Sequence, residues 1–412
     1  MVPNGWKNGI IEDIAKVASG GTPSRKKESY WNGHIPWVTT SEVKFGVITD
    51  TEQKITQEGL DNSSAKLFPE DTILMAMYGQ GKTRGQVAKL GIEASTNQAC
   101  AALILNKDHD VSYYYQYLTS QYVNIRELAN SGGQQNLSAG IIKDIHVPIP
   151  PLPEQRKIAK ILSTWDKAIS TTEALIETSK QQKKALMQQL LTGKKRLVDP
   201  LTGEKFEGEW EEVRLNRFFD RVTEKNKGQS TNVVTISAQH GLIRQEEFFK
   251  KSVASEILDN YFILRKGQFA YNKSYSNGYP MGAIKRLNRY EDAVVTSLYI
   301  CFELKDKIQT SSCFMEQYFE SGLLNQGLTK IAAEGGRAHG LLNVKPADFM
   351  ALSITAPQFK EQQKIASVLT AADKEIEIFE SKLAHLKQEK KALMQQLLTG
   401  KRRVKVDEEE AT

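Results

Sequence analysis

The chain has 412 residues, with 55 Lys and Arg against 49 Asp and Glu, a net charge of +6. That length suits two or three ordinary domains, and 40% hydrophobic with 25% charged residues is the balance of a soluble globular protein. Cys100, Cys301 and Cys313 are too widely spaced for a disulfide framework or a CxxC metal knuckle, and no stretch reads as a signal peptide or a membrane span, so a cytoplasmic setting is expected.

Residues 1–150 read as a mixed α/β domain. Ile35–Thr40, Thr72–Tyr78 and Ala99–Leu105 are short apolar runs bounded by Gly, Pro, Asn or charged residues, and they predict strands. Tyr113 to Ala129 predicts a helix, stopped by Ser131-Gly132-Gly133. Val147 to Pro153 holds four prolines and predicts a stiff extended connector.

The pattern then changes over residues 151–200. Between Glu154 and Leu191, apolar residues recur at a heptad spacing with charged residues and Gln between them, which predicts one long amphipathic helix. Its seam is Ile158, Ile161/Leu162, Trp165, Ala168/Ile169, Thr172, Leu175/Ile176, Ser179, Leu186 and Leu190, with Gly193 placed to stop it. Residues 201–358 restate the first domain loosely: Trp210 echoes Trp6, Val233–Ser237 stands where Val38-Thr39-Thr40 stood, Gln268–Asn272 parallels Leu74–Tyr78, and Glu334-Gly335-Gly336 parallels Ser131-Gly132-Gly133.

Residues 359–400 are a second copy of the helix. Lys183–Lys194 reads KKALMQQLLTGK and returns unchanged as Lys390–Lys401, a shift of 207 positions that also carries Glu154–Ala159 onto Glu361–Ala366. The second seam is Ile365, Leu369, Ala372, Ile376, Phe379, Leu386, Leu393 and Leu397, and Gly400 is its stop. Residues 401–412, basic then acidic, predict a solvated tail. Two helices with matching seams can bury each other, and each of roughly 38 residues would be about 57 Å long. The expected fold class is α+β: two globular mixed α/β domains separated by two long helices that pair as an intramolecular coiled coil. Antiparallel pairing is the simpler arrangement; a parallel pair would bring Trp165 beside Ala372 instead of Leu393.

Catalytic signatures are missing. Gly79-Gln80-Gly81-Lys82-Thr83 contains only the tail of a P-loop and opens no apolar helix. There is no GxGxxG after a strand, no GxSxG, no HExxH and no Cys cluster, and the six histidines are scattered, so no catalytic or metal-ligating residue is assigned. What both domains share is loops that mix positive charge, amides and aromatics. In the first these carry Ser24, Arg25, Lys26 and Lys27; Tyr78, Gln80, Lys82, Thr83, Arg84 and Gln86; then Asn97 and Gln98. In the second they carry Lys225 and Lys227; Asn272, Lys273, Ser274, Tyr275, Ser276 and Tyr279; then Lys285, Arg337 and His339. Lys and Ser/Thr suit phosphate, while Arg can grip guanine and Asn or Gln adenine through paired hydrogen bonds. Ordinary polar surface loops would look the same singly; their recurrence at matching places sets nucleic-acid binding level with that plain reading, without deciding between them.

The order of parts resembles the specificity (S) subunit of type I restriction-modification systems. The resemblance rests on Ser19-Gly20-Gly21-Thr22-Pro23-Ser24 with Ile35-Pro36-Trp37-Val38, on Pro148–Gln155 leading into the helix, and on Tyr271–Ser276 in the second half. It implies two target-recognition domains, each reading one half of a bipartite asymmetric target in double-stranded DNA, with the helices setting the spacer. It further implies a non-catalytic chain that docks two modification (M) subunits and, with them, two restriction (R) subunits. S-adenosylmethionine, ATP and Mg²⁺ are then expected on those partners and none on this chain. Lys and Gln residues around 180–189 and 387–396 are candidates for the docking face. A coiled-coil adaptor that joins proteins without binding DNA is the alternative.

Overall fold

The computed structural model describes residues 2–79, 82–128, 136–249, 258–307, 309–332 and 342–406. The chain packs as two compact units, Met1–Glu173 with Ser381–Thr412, and Ala174–Glu380. Ala129, Ser131-Gly132-Gly133, Glu334-Gly335-Gly336 and the acidic end of the tail lie outside the described residues.

In the first unit a five-stranded sheet has the order Ala15–Ser19, Cys100–Leu105, Ile73–Ala76, Val87–Leu90, Val47–Ile48. Only its last pair is parallel. The central strands are apolar throughout because both faces are covered, and the two-residue alternation divides them. Ile73, Met75, Ala101 and Leu103 pack with Tyr113, Tyr114, Ile158 and Leu162, while Leu74, Ala76, Cys100 and Ala102 pack with Val38, Phe68 and Ala94. A four-stranded sheet, ordered Gln53–Ile55, Trp31–Val38, Ala94–Thr96, Leu67–Phe68, supplies part of that second layer.

The second unit repeats the scheme. Its four-stranded sheet, Phe219–Arg221, Ile300–Leu304, Phe269–Asn272, Ala283–Arg286, is antiparallel throughout. Phe219, Phe269 and Phe302 pack with Phe319 on one face, while Ala270, Ala283 and Cys301 lie on the other. In each unit a two-stranded ribbon brings an early strand to the one that precedes the long helix: Lys7–Ile10 with His146–Ile149, and Glu211–Arg214 with Ser353–Ala356. The expected connector at Val147–Pro153 is therefore strand first and helix second. Helix begins at Leu152, before the expected Glu154, because proline fits a first helical turn, where its missing N–H is not needed.

The long helices, Leu152–Leu190 and Phe359–Leu397, are 39 residues each. Within the first unit Asp166 pairs with Lys390 at 2.5 Å and Glu173 with Lys387 at 2.7 Å. Within the second, Lys180 pairs with Glu380 at 2.8 Å and Lys183 with Asp373 at 2.5 Å. Later positions on one helix meet earlier positions on the other, so the pairing is antiparallel in both units. Lys183 and Lys390, grouped above with an outer docking face, are turned inward, their side chains only 15% and 13% exposed.

Ile158, Leu162, Leu190, Ile365, Leu369, Ile376 and Leu397 are buried, and Trp165, Ile169, Leu186, Ala372, Phe379, Leu386 and Leu393 are half-buried. Of the alternatives Leu175 and Ile176, Ile176 is buried and takes the seam position, while Leu175 is 42% exposed. The stripe steps by three and four through Ile169, Thr172, Ile176 and Ser179, and Leu175 falls at its edge, about 100° from Ile176. Thr172 and Ser179, both buried, complete the stripe. The helix expected over Tyr113–Ala129 is two, Val111–Ser120 and Tyr122–Leu128. Ser120 Oγ donates to Tyr117 O at the junction, the local side-chain bond by which serine competes with helix continuation. Gly193 and Gly400 both take φ +69, the left-handed conformation of a helix stop. Among the described residues no helix is long and apolar enough to cross a membrane.

Candidate nucleic-acid interface

The strand register brings the first unit's candidate loops to one end of the five-stranded sheet. Ser19 pairs with Ala101, Ala76 with Cys100 and Met75 with Val87. The loops after Ser19, after Ala76 and before Cys100 therefore leave the sheet side by side. They also bond to one another: Gly20 N donates to Cys100 O at 3.4 Å, Gly21 N to Thr96 O at 2.8 Å, and Met77 N to Ala99 O at 2.8 Å. Thr22 Oγ1 donates to Gln98 Oε1. Gly20 and Gly21 permit this approach, because a Cβ on Gly20 would lie 2.1 Å from Thr96 O and one on Gly21 2.3 Å from the Ser64 carbonyl carbon.

On this base Ser24, Arg25, Lys26 and Lys27 are exposed. The Arg25 guanidinium lies 3.8 Å above the Trp31 ring, Trp31 meets Trp37 edge-on at 5.1 Å, and Trp37 Nε1 donates to Gly21 O at 2.9 Å. Stacking of this kind holds a cation in place without neutralising it. Lys27 Nζ donates to Tyr30 Oη at 2.9 Å, which holds the ammonium above its ordinary range and so charged. In the second loop Tyr78 is 40% exposed, Lys82 is exposed, and Thr83, Arg84 and Gln86 are half-buried. Tyr122 Oη donates to Lys82 O and braces this loop from below. Asn97 is half-buried and its Oδ1 accepts from Ala99 N at 3.1 Å, so the carbonyl side of its amide is spent on the loop itself; Gln98 is exposed. Gln80 lies outside the described residues.

The second unit places its loops at the matching end of its sheet, since Arg221 pairs with Phe302, Tyr271 with Ile300 and Asn272 with Ala283. Lys227 and Tyr275 are exposed, Tyr275 by 64%, and Lys273, Ser274, Ser276 and Tyr279 are half-buried. Asn272 Oδ1 accepts from Ser274 N at 3.0 Å, fixing the loop's first turn. Two candidates are engaged internally. Lys225 Nζ donates to Asn260 O at 2.7 Å above the Phe262 ring, and Lys285 is ion-paired with Glu320 beside Tyr279, which itself donates to Glu320 at 2.7 Å. Lys285 sits two residues into its strand against helix Ser312–Glu320 and donates to Tyr279 Oη at 3.2 Å, at the base of the loop. Arg337 and His339 lie outside the described residues.

Sequence reasoning missed Thr296-Ser297-Leu298, the counterpart of the Asn97 loop, with Leu298 58% exposed. Its signal was positional: it precedes strand Ile300–Leu304 as Asn97-Gln98 precedes Cys100–Leu105. The aromatic pad of Trp31 and Trp37 was also missed: Trp37 reads as strand, and Trp31 lies outside every motif.

Residues 3–180 match the type I restriction modification DNA specificity domain. The chain is 33% identical over 193 residues to the type I restriction enzyme MjaIX specificity subunit of Methanocaldococcus jannaschii, an alignment covering 45% of this chain and 42% of that subunit. It is 27% identical over 425 residues to the MjaVIII specificity subunit of the same organism, covering 98% and 94%. The crystal structure of a type I restriction-modification S subunit from M. genitalium shares the fold at a TM-score of 0.58 and 15% identity, over 96% of both chains.

Proposed function

We propose that the chain is a specificity subunit of a type I restriction-modification system and the DNA-reading part of it, a reading supported by the match over residues 3–180 and the 27% identity to the MjaVIII specificity subunit over 98% of the chain. Each mixed α/β unit reads one half of a bipartite, asymmetric target. The observation that carries this is the pair of loop clusters, set at the same end of two like sheets but built from different residues. Arg25, Lys26, Lys27 and Lys82 in one cluster and Lys227 and Lys273 in the other supply phosphate contacts, which fix position without reading sequence. Gln86 supplies an amide for base edges, and Asn97 and Asn272, whose Oδ1 atoms are engaged within their loops, offer their amide N–H groups.

The paired helices hold the interval between the half-sites and offer two near-identical surfaces, so that one chain docks two modification subunits. Those subunits bind S-adenosylmethionine and methylate adenine; two restriction subunits add ATP- and Mg²⁺-dependent cleavage. This chain contributes recognition and no catalysis, in the cytoplasm.

Mobility shifts with the modification partner test the reading. Lys82→Ala should weaken binding to all sequences and reduce the salt slope by about one. Gln86→Ala, Asn97→Ala and Asn272→Ala should each relax a base preference in one half only. An unchanged target for all three, or binding indifferent to sequence in the parent chain, would overturn it.

A further inference from the structure

The carboxylates of Asp166 and Asp373 are each a meeting point of three helices. In the first unit Asp166 Oδ1 accepts from Lys390 Nζ and Oδ2 from Gln116 Nε2, both at 2.5 Å. In the second, Asp373 Oδ1 accepts from Lys183 Nζ at 2.5 Å and Oδ2 from Gln317 Nε2 at 2.7 Å. The two sites agree atom for atom although the globular parts share little sequence. Gln116 stands on helix Val111–Ser120 and Gln317 on helix Ser312–Glu320, the helices of the α/β bodies that face the seam.

We infer that Gln116–Asp166–Lys390 and Gln317–Asp373–Lys183 are positioning triads that lock each recognition body to both long helices and so hold the half-site spacing to one value. This rests on the DNA-reading function proposed above. Packing alone does not explain the triads. Gln116 and Gln317 are 2% and 6% exposed, and the Oε1 of each is buried without a donor among the described residues. An apolar side chain would avoid that unfavourable orphan. Apolar contact is non-directional and lets a body rock on its seat, and a heptad seam tolerates displacement by whole heptads. A charge pair with a third, directional hydrogen bond is satisfied in one geometry; the aspartate side chains are 44% and 38% exposed, but Lys390 and Lys183 are only 13% and 15% exposed, so another geometry leaves a poorly solvated ammonium. A one-heptad slip of a helix is about 10 Å, or roughly three base pairs of B-DNA, so the consequence for a split target is large.

The test uses the complex with the modification subunit and duplexes in which the two mapped half-sites are separated by the natural spacer, one base pair fewer and one more. The parent complex should strongly prefer the natural spacer. Asp166→Ala and Asp373→Ala should raise methylation of the altered spacers relative to the natural one at least tenfold, with base preferences in each half unchanged. Lys390→Met and Lys183→Met keep most of the packing volume and should give the same broadening if the alanine variants fold poorly. Methylation that falls equally on all three spacers would mean the triads only stabilise, and the proposal would be overturned while the DNA-reading function stood. A parent complex with no spacer preference would overturn both.

Discussion

Arg403 and Glu154, 249 positions apart, form a two-pronged ion pair: Nε to Oε1 at 2.6 Å and Nη2 to Oε2 at 2.7 Å. Trp6 Nε1 also donates to Glu154 Oε2 at 2.9 Å, and the glutamate side chain is 4% exposed. Arg196 repeats the fork on Glu361 in the second unit, at 2.6 and 2.7 Å. The segment after each long helix is thus fastened to the start of the other. The Glu-Gln pair that opens both helices has its reason here. Glu154 and Glu361 take the arginine, while Gln155 and Gln362 donate to Pro150 O and Pro357 O, both at 2.8 Å.

Removing the arginine strands a buried carboxylate. Arg403→Ala should cost about 2–3 kcal/mol, below the range for wholly buried pairs because the arginine side chain is 43% exposed. Urea unfolding of the parent and variant measures it. A change below about 0.5 kcal/mol, the scale of an ordinary surface substitution, would show the fork to be incidental.

Gly20→Ala should destabilise the first unit by about 1–3 kcal/mol, the usual scale of overpacking, because its methyl group would meet Thr96 O at 2.1 Å. In a binding assay, discrimination should fall in one half-site and persist in the other. An unaltered melting temperature would contradict the close approach.

The choice of Ile176 over Leu175 makes a paired prediction. Ile176→Ala removes a buried side chain and should cost about 2–4 kcal/mol, whereas Leu175→Ala, one position along but exposed, should stay within about 0.5 kcal/mol. Equal losses would return Leu175 to the seam.

Cys100 and Cys301 are buried, and burial pushes both thiols up to about 12. Thiolate forms only as pH rises toward that value, so at pH 8 neither should react with iodoacetamide in the folded chain. Cys313 is exposed and should label alone, with all three reacting in denaturant. Mass spectrometry counts the adducts, and rapid labelling of Cys100 would contradict the packed sheet.

The parts legible in the sequence were those with a period or a repeat. The heptads, the duplicated Lys-Lys-Ala-Leu-Met-Gln-Gln-Leu-Leu-Thr-Gly and the strands at Thr72–Tyr78 and Ala99–Leu105 needed only local pattern. Simplicity favours antiparallel pairing without deciding it, because two matching apolar seams fit either way; the ion pairs of Asp166 and Asp373 show which is adopted. Those aspartates read as solvated helix charges, since nothing local marks Gln116 or Lys390 as their partners. Likewise the loops of Arg25, Lys82 and Asn97 were recognisable singly, but their convergence depends on which strands lie side by side. Lys225 and Lys285 looked available by composition and are engaged by Asn260 and Glu320.

Adenine-methylation mapping across the genome of cells carrying this chain and its modification partner bears most directly on the account. It predicts one bipartite motif, with two different half-sites and a gap of unread bases of constant length. Replacing Asn272 should then change one half and leave the other half and the gap intact. A continuous motif, a symmetric one, or no methylation dependent on this chain would contradict it.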